Sequence, residues 1–161
     1  MLNKIYLALL AVAVLVMAFF TYYCWSWLQS IGVPRDTAAN YEYFAELSWF
    51  FLWISAPVLL VIGNVILWIS RHAWAMWVAA AYFAVFVLLK GFWLDPSFAV
   101  FRRSSGLPED SFTLGPFAAV VLCFVAAGIV FFDQFIISRF VEKMHPARPK
   151  LHEEVPAAEN D

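Results

Sequence analysis

Two polar side chains inside long apolar runs are the first candidates for chemistry in this chain. Asn64 lies seven residues before Arg71, and Asp133 lies six residues before Arg139. By the ~1.5 Å rise per helical residue, both would sit roughly 9–10 Å inside the membrane edge that those arginines mark. Because unpaired polar groups are costly in lipid, we predict that Asn64 and Asp133 hydrogen-bond to each other.

Two interpretations of this pair differ in function. The first is a structural polar clasp, to which Gln134 or Tyr6 could add a hydrogen bond. The second is a proton or cation relay, because ionisable groups inside membrane spans often mark such paths. A relay across the bilayer needs further ionisable groups at mid-depth, and the sequence supplies none, which favours the clasp.

Lys90 is the third candidate residue inside the apolar runs and lies five residues before Asp95. That spacing is ~7 Å of helix, so the long side chain could reach the lipid headgroups. A salt bridge to Glu46 is the alternative interpretation, and contact with an anion or substrate is the third.

His72 is the one histidine beside the apolar runs, since His145 and His152 fall in the polar C-terminal segment. A single axial histidine could bind a chlorophyll-type pigment, whereas a b-type haem is usually held by a pair. Contact with a lipid headgroup is the favoured interpretation of His72, and lipid or such a pigment is the only cofactor class that the sequence suggests.

Motifs of enzymes and of nucleic-acid binding are missing from the sequence. It contains no HExxH motif, no phosphate-binding glycine loop, no GxGxxG motif and no Ser/His/Asp arrangement. Cys24 and Cys123 should lie at different depths as free thiols, and a net charge of −2 provides no basic surface for nucleic acid. We therefore expect a protein that is not an enzyme.

Four apolar stretches must position these residues. Hydrophobic residues make up 64% of the 161 residues and charged residues 14%, a composition that suits lipid rather than water. A helix of about 20 apolar residues crosses the hydrocarbon layer. We predict an all-α membrane domain over residues 1–144, with an up-down-up-down bundle of spans 5–27, 47–70, 73–94 and 112–140. Residues 145–161 should form a disordered polar tail.

Tryptophan and basic residues predict how this bundle lies in the bilayer. Lys4, Arg71 and four basic residues from Arg139 to Lys150 lie on the side of both termini, against four basic residues on the other side. This excess predicts cytoplasmic termini and two outer loops of about 20 residues, in a multi-pass protein of a bacterial inner membrane. The outer ends of three spans carry Trp25, Trp27, Trp49, Trp53 and Trp93.

Small residues recur along two spans and predict close helix contacts. They are Gly115, Ala119, Cys123 and Ala127 in the fourth span and Ala73, Ala80, Ala84 and Gly91 in the third. Contact within the chain is favoured over contact with a partner.

The sequence favours a non-catalytic accessory subunit of a larger membrane assembly, such as a respiratory or photosynthetic electron-transfer complex. Its aromatic cluster would then contact other integral membrane subunits, because aromatic side chains often dominate protein interfaces. The alternative is a small homo-oligomeric transporter or channel that uses Asn64, Asp133 and Lys90.

Overall fold

The described part of the chain is helical throughout. The computed structural model describes residues 1–28, 35–104, 106 and 114–144, with the backbone alone at 27, 35–42, 141 and 144. Its helices are α1 (Leu2–Leu28), α2 (Arg35–Ser70), α3 (Trp74–Leu89), α4 (Asp95–Ser104) and α5 (Pro116–Met144). A π-helical turn, Lys90–Leu94, joins α3 to α4.

Four of the helical segments are long and apolar enough to cross a membrane: Leu2–Ser26, Tyr43–Ser70, Trp74–Ser104 and Pro116–Phe140. The prediction of an all-helical protein with four spans is confirmed at this level. The predicted tail, residues 145–161, lies outside the described residues.

Helices extend into both segments that were predicted to be outer loops. Helix α2 begins at Arg35 rather than near residue 47, and the third span continues through α4 to Ser104 rather than ending at residue 94. Pro96 falls in the second predicted loop, but a proline close to the start of a helix is tolerated. Pro96 provides no N–H for the carbonyl group four residues earlier, and the helix continues past it through the wider π turn.

Contacts between helix ends show that consecutive spans run in opposite directions. Near the start of α1, the Tyr6 hydroxyl donates to the carbonyl oxygen of Ala75 near the start of α3, at 2.6 Å. At the far end of α1, the ring of Tyr23 lies 4.3 Å from that of Phe44, early in α2. The short turn between α2 and α3 contains Arg71, whose φ of 60° directs the chain out of the helix.

The α2–α3 hairpin is the centre of the bundle. Helix α1 packs on one side of it and α5 on the other, and among the described residues α1 and α5 do not approach each other. The largest core cluster contains Tyr6, Met17, Leu52, Leu59, Tyr82, Phe86 and Val87. As a consequence, the central helices are the most buried and the two flanking helices keep large apolar surfaces.

Small residues make the close contacts between α3 and α5 within this chain. A Cβ atom built on Gly91 would lie only 2.5 Å from the Cβ atom of Ala119. One turn further along α5, the Cys123 thiol lies 3.9 Å from the carbonyl oxygen of Ala84. The small residues of the third and fourth spans were predicted to make helix contacts within the chain. These contacts support that prediction at Gly91, Ala119, Cys123 and Ala84.

Candidate functional site

The polar side chains of the membrane spans form two groups at opposite ends of the bundle. Asn64 and Asp133 belong to one group, and Lys90 belongs to the other. Trp77, which donates a hydrogen bond from its indole nitrogen to Gln134, precedes Lys90 by 13 residues in α3. Thirteen residues of helix span about 20 Å, so the three predicted site residues do not meet.

Asn64 and Asp133 make the hydrogen bond that their matched depth predicted. The Nδ2 atom of Asn64 donates to Oδ2 of Asp133 at 2.5 Å, which links α2 to α5. The other polar atom of the amide, Oδ1 of Asn64, is buried and has no hydrogen-bond partner. Buried polar atoms usually have a hydrogen-bond partner, so this oxygen is an unsatisfied acceptor.

Tyr6 and Gln134, the predicted neighbours of this pair, have other partners. The Tyr6 hydroxyl donates its hydrogen bond to the Ala75 carbonyl group. Gln134 accepts a hydrogen bond from the indole N–H of Trp77 at 3.1 Å. Among the described residues, Asp133 therefore has Asn64 as its one hydrogen-bond partner.

Lys90 forms a salt bridge with Asp95, so the predicted salt bridge to Glu46 is wrong. Its Nζ atom lies 2.9 Å from Oδ1 of Asp95, and the two side chains are 16% and 6% exposed. Glu46, the predicted partner, is exposed instead. The Lys90 ammonium also lies 5.9 Å from the centre of the Trp49 ring, within the range of a cation–π contact.

The π turn explains why the sequence did not reveal this pair. Residues five apart in an α-helix point about 140° away from each other, at 3.6 residues per turn. In a π turn, hydrogen bonds join residues five apart, and the Asp95 N–H indeed bonds to the Lys90 carbonyl group. The wider turn brings the two side chains to one side of the helix.

Asp95 also forms a hydrogen bond with the segment just before α5, the last span. Its Oδ2 atom accepts a hydrogen bond from the backbone N–H of Leu114 at 2.8 Å. Both carboxylate oxygens are therefore bonded, one within the third span and one to the segment just before α5. This side chain was assigned to a loop from the sequence, and the structure makes it a buried link between spans.

The five predicted interface tryptophans separate into different environments. Trp25 of α1 lies 6.4 Å from Trp93 of the π turn between ring centres, and the two are 37% and 40% exposed. Trp49 packs edge-on against Trp53 and is partly buried against the core. Trp53 in turn contacts Phe83 and remains half exposed. The side chain of Trp27 lies outside the described residues.

His72 lies exposed in the turn between α2 and α3. Its Nδ1 atom is 2.6 Å from the carbonyl oxygen of Ser70. Because a carbonyl oxygen only accepts, Nδ1 is the donor in this contact. Histidine, cysteine and carboxylate side chains do not gather in groups of three or more within the described ranges.

One hydroxyl pair lies between the two polar groups. The hydroxyl oxygens of Ser55 and Tyr82 are 2.9 Å apart at the contact of α2 and α3. Tyr82 lies about 12 Å of helix from Lys90 and about 10 Å from Ala75, the partner of Tyr6. Along these helices the polar groups are therefore separated by apolar packing, an arrangement typical of structural links rather than a continuous relay.

Replacing Asp133 with Asn tests the clasp against the relay. Asparagine keeps an oxygen that can accept the Asn64 amide proton, so we expect folding to change by less than about 1 kcal/mol. Thermal unfolding of the purified chain measures this effect. Normal folding combined with a selective loss of ion or proton movement in vesicles would contradict the clasp interpretation.

Comparison of the chain with protein-family models, with curated proteins and with solved structures found no match. What the geometry identifies is an integral membrane protein with two partly buried polar links, Asn64–Asp133 between α2 and α5 and Lys90–Asp95 at the π turn.

Proposed function

We propose that this chain is a non-catalytic accessory subunit of a larger membrane assembly, such as a respiratory or photosynthetic electron-transfer complex. The observation that carries the proposal is the pair of rings from Trp25 and Trp93. These two large rings from different helical segments lie beside each other, and a third or more of each residue's surface is exposed. Rigid, exposed aromatic groups are favourable anchors for a protein partner.

The shallow burial of the flanking helices supports the same proposal. In the most apolar 18-residue stretch of α5, only 6% of the residues are buried, against 44% in the third span. Six phenylalanines on α5 are more than half exposed: Phe117, Phe124, Phe131, Phe132, Phe135 and Phe140. Lipid covers such a surface in the isolated chain, and neighbouring membrane subunits would cover part of it in an assembly.

Orientation and location are parts of this proposal. The six basic residues on the side of both termini, against four on the other side, favour cytoplasmic termini. The assembly would then lie in a bacterial inner membrane, with the Trp25–Trp93 pair at the outer face.

The transporter alternative stays a prediction with weaker support. It requires Asn64, Asp133 and Lys90 to line one path, whereas about 20 Å of helix separates the first two from Lys90. Lys90 also forms a salt bridge with Asp95.

Replacing both Trp25 and Trp93 with Leu tests the proposed interface. Leucine keeps the surface apolar but removes the ring shape and the indole N–H, so we expect loss of most co-purifying membrane subunits after gentle solubilisation. Membrane insertion and the thermal midpoint should change little. Quantitative mass spectrometry of affinity-purified chain measures the partners.

The control is Trp68→Leu, since Trp68 is 46% exposed and lies at the opposite end of the bundle. We expect this control to retain its partners. Unchanged co-purification in the Trp25/Trp93 double variant would show that the rings only anchor the chain in lipid.

A further inference from the structure

A small cavity lies between α1, α2 and the π turn, at the Lys90 end of the bundle. Its volume is about 20 Å³. Three residues with hydroxyl or ammonium groups line it, and each comes from a different segment: Thr21 of α1, Ser48 of α2 and Lys90 of the π turn. The larger groove between α2, α3 and α5 is lined by residues without any hydroxyl, amide or charged group. The small cavity is therefore the one whose lining suits a polar occupant.

The volume of the cavity suits one water molecule. A cavity of more than about 10–15 Å³ can hold a water, and that water needs two to four polar partners. The measured 20 Å³ meets the first condition. A benzene ring occupies a cavity of ~150 Å³, so an aromatic ring or a lipid tail is far too large for this space.

Lys90 brings hydrogen-bond donors to the cavity. An ammonium group has three N–H bonds, and one of them donates to Oδ1 of Asp95 at 2.9 Å. Within the described part of the chain, Lys90 makes no second hydrogen bond. Its side chain is only 16% exposed. Because burial removes most of the hydration of a charge, a further acceptor beside this ammonium group would be favourable.

Thr21 and Ser48 bring hydroxyl oxygens to the same cavity. The Ser48 hydroxyl donates to the carbonyl oxygen of Ala45 at 2.7 Å, and its oxygen can still accept a hydrogen bond. The Thr21 hydroxyl has no hydrogen-bond partner among the residues that the structure describes. A polar group without a partner is costly inside a membrane span. The site thus combines a donor group that lacks acceptors with two hydroxyl oxygens that can accept.

We propose that the cavity binds one water molecule, which accepts a hydrogen bond from the Lys90 ammonium group and donates to the hydroxyl oxygens of Thr21 and Ser48. The water then has three partners, the usual number for a buried water. Near the start of α1, Tyr6 bonds directly to Ala75 of α3. The water links the other half of α1 to the hairpin of α2 and α3. This inference is independent of the proposed role as an accessory subunit.

Proton-detected solid-state NMR of the purified full chain in nanodiscs tests for the water. We expect cross-peaks from a slowly exchanging water to the methyl group of Thr21 and to the ammonium protons of Lys90. Thr21→Val keeps a methyl group at this place and removes the hydroxyl group, so most of the water signal should be lost. Thr21→Ser retains the hydroxyl group and should retain the water signal at Lys90. Absence of both cross-peaks from the unmodified chain would overturn the proposal.

The direction of the thermal shift in Thr21→Val provides a second test. If water bonds to Thr21, valine removes about one hydrogen bond, and the thermal midpoint should fall by about 2–4 °C. Threonine and valine have the same shape. In a dry cavity the change would remove only an unpartnered hydroxyl group, and the midpoint would stay the same or rise. Either of these two results would contradict the water site.

Ser48→Ala and its control test whether the two hydroxyl groups act through one water. The loss in the Thr21→Val/Ser48→Ala double variant should be smaller than the sum of the single losses, because each single change already weakens the same water. Ser70→Ala is the control, since the Ser70 hydroxyl also donates to a carbonyl oxygen of its own helix, that of Ile66 at 2.7 Å, and Ser70 is exposed. Its effect should add to that of Thr21→Val.

Additive losses at Thr21 and Ser48 would show that the two residues share no water. If a variant fails to fold, the NMR experiment on the unmodified chain still decides the question. All of these measurements use the chain without other subunits, so their outcome is separable from the test of Trp25 and Trp93.

Discussion

Gly91→Ala is expected to destabilise the bundle by about 1–3 kcal/mol, the usual cost of overpacking. The new Cβ atom would lie 2.5 Å from the Cβ atom of Ala119 and 3.3 Å from the carbonyl oxygen of Gly115. Neither atom belongs to a flexible side chain, so the π turn and α5 must move apart. The loss will appear as a lower thermal midpoint of the detergent-solubilised chain.

Gly128→Ala is the matched control because it makes the same change in α5, where a new Cβ atom would meet nothing within 4 Å. We expect it to be neutral or to stabilise the helix by less than about 1 kcal/mol. Gly63→Ala provides a second test at the α2–α3 contact, since its Cβ atom would lie 3.0 Å from the backbone nitrogen of Met76. Similar midpoints for the Gly91 and Gly128 variants would show that α3 and α5 adjust without cost.

Asp95→Leu should be the most damaging single change to the polar links, at about 3–5 kcal/mol. It leaves the Lys90 ammonium unpaired in a site where only 16% of that side chain is exposed. It also removes the acceptor for the N–H of Leu114. Thermal or denaturant unfolding of the purified chain measures the loss.

The companion variants separate charge burial from loss of packing. Lys90→Leu should cost less than Asp95→Leu, because Asp95 keeps its bond to the Leu114 N–H. The Lys90/Asp95 double change to Leu should recover much of the stability lost in Asp95→Leu, since apolar replacement of a buried ion pair is often nearly neutral. Additive losses in the double variant would show that the salt bridge contributes nothing beyond the separate side chains.

Several features of the fold were predictable from the sequence because they depend on composition along one helix. Apolar length determines which segments can cross the hydrocarbon layer, and four such segments are present. Matched depth predicted the contact of Asn64 with Asp133, because two polar groups at one level in lipid have few other partners. Small residues at Gly91 and Ala119 likewise indicated where helices approach closely.

The helix boundaries were less predictable. Pro96 and Asp95 resemble turn residues when they are considered as a local pattern, yet the helix passes both through the π turn. That irregularity places Lys90 beside Asp95, whereas α-helical spacing would point the two side chains apart. Trp49 also looked like a surface anchor, whereas the structure packs it against Trp53 and below the Lys90 ammonium.

The sequence by itself determined that the chain is a four-span helical membrane protein, because hydrophobic length acts segment by segment. Only the tertiary structure decided which helix surfaces remain exposed to lipid or to a partner, since that depends on which side of each helix faces a neighbouring helix. It made α2 and α3 the centre, left α1 and α5 with apolar flanks, and opened an apolar groove between α2, α3 and α5. A groove between three helices has no signature in any one of them, because its walls are brought together only by packing.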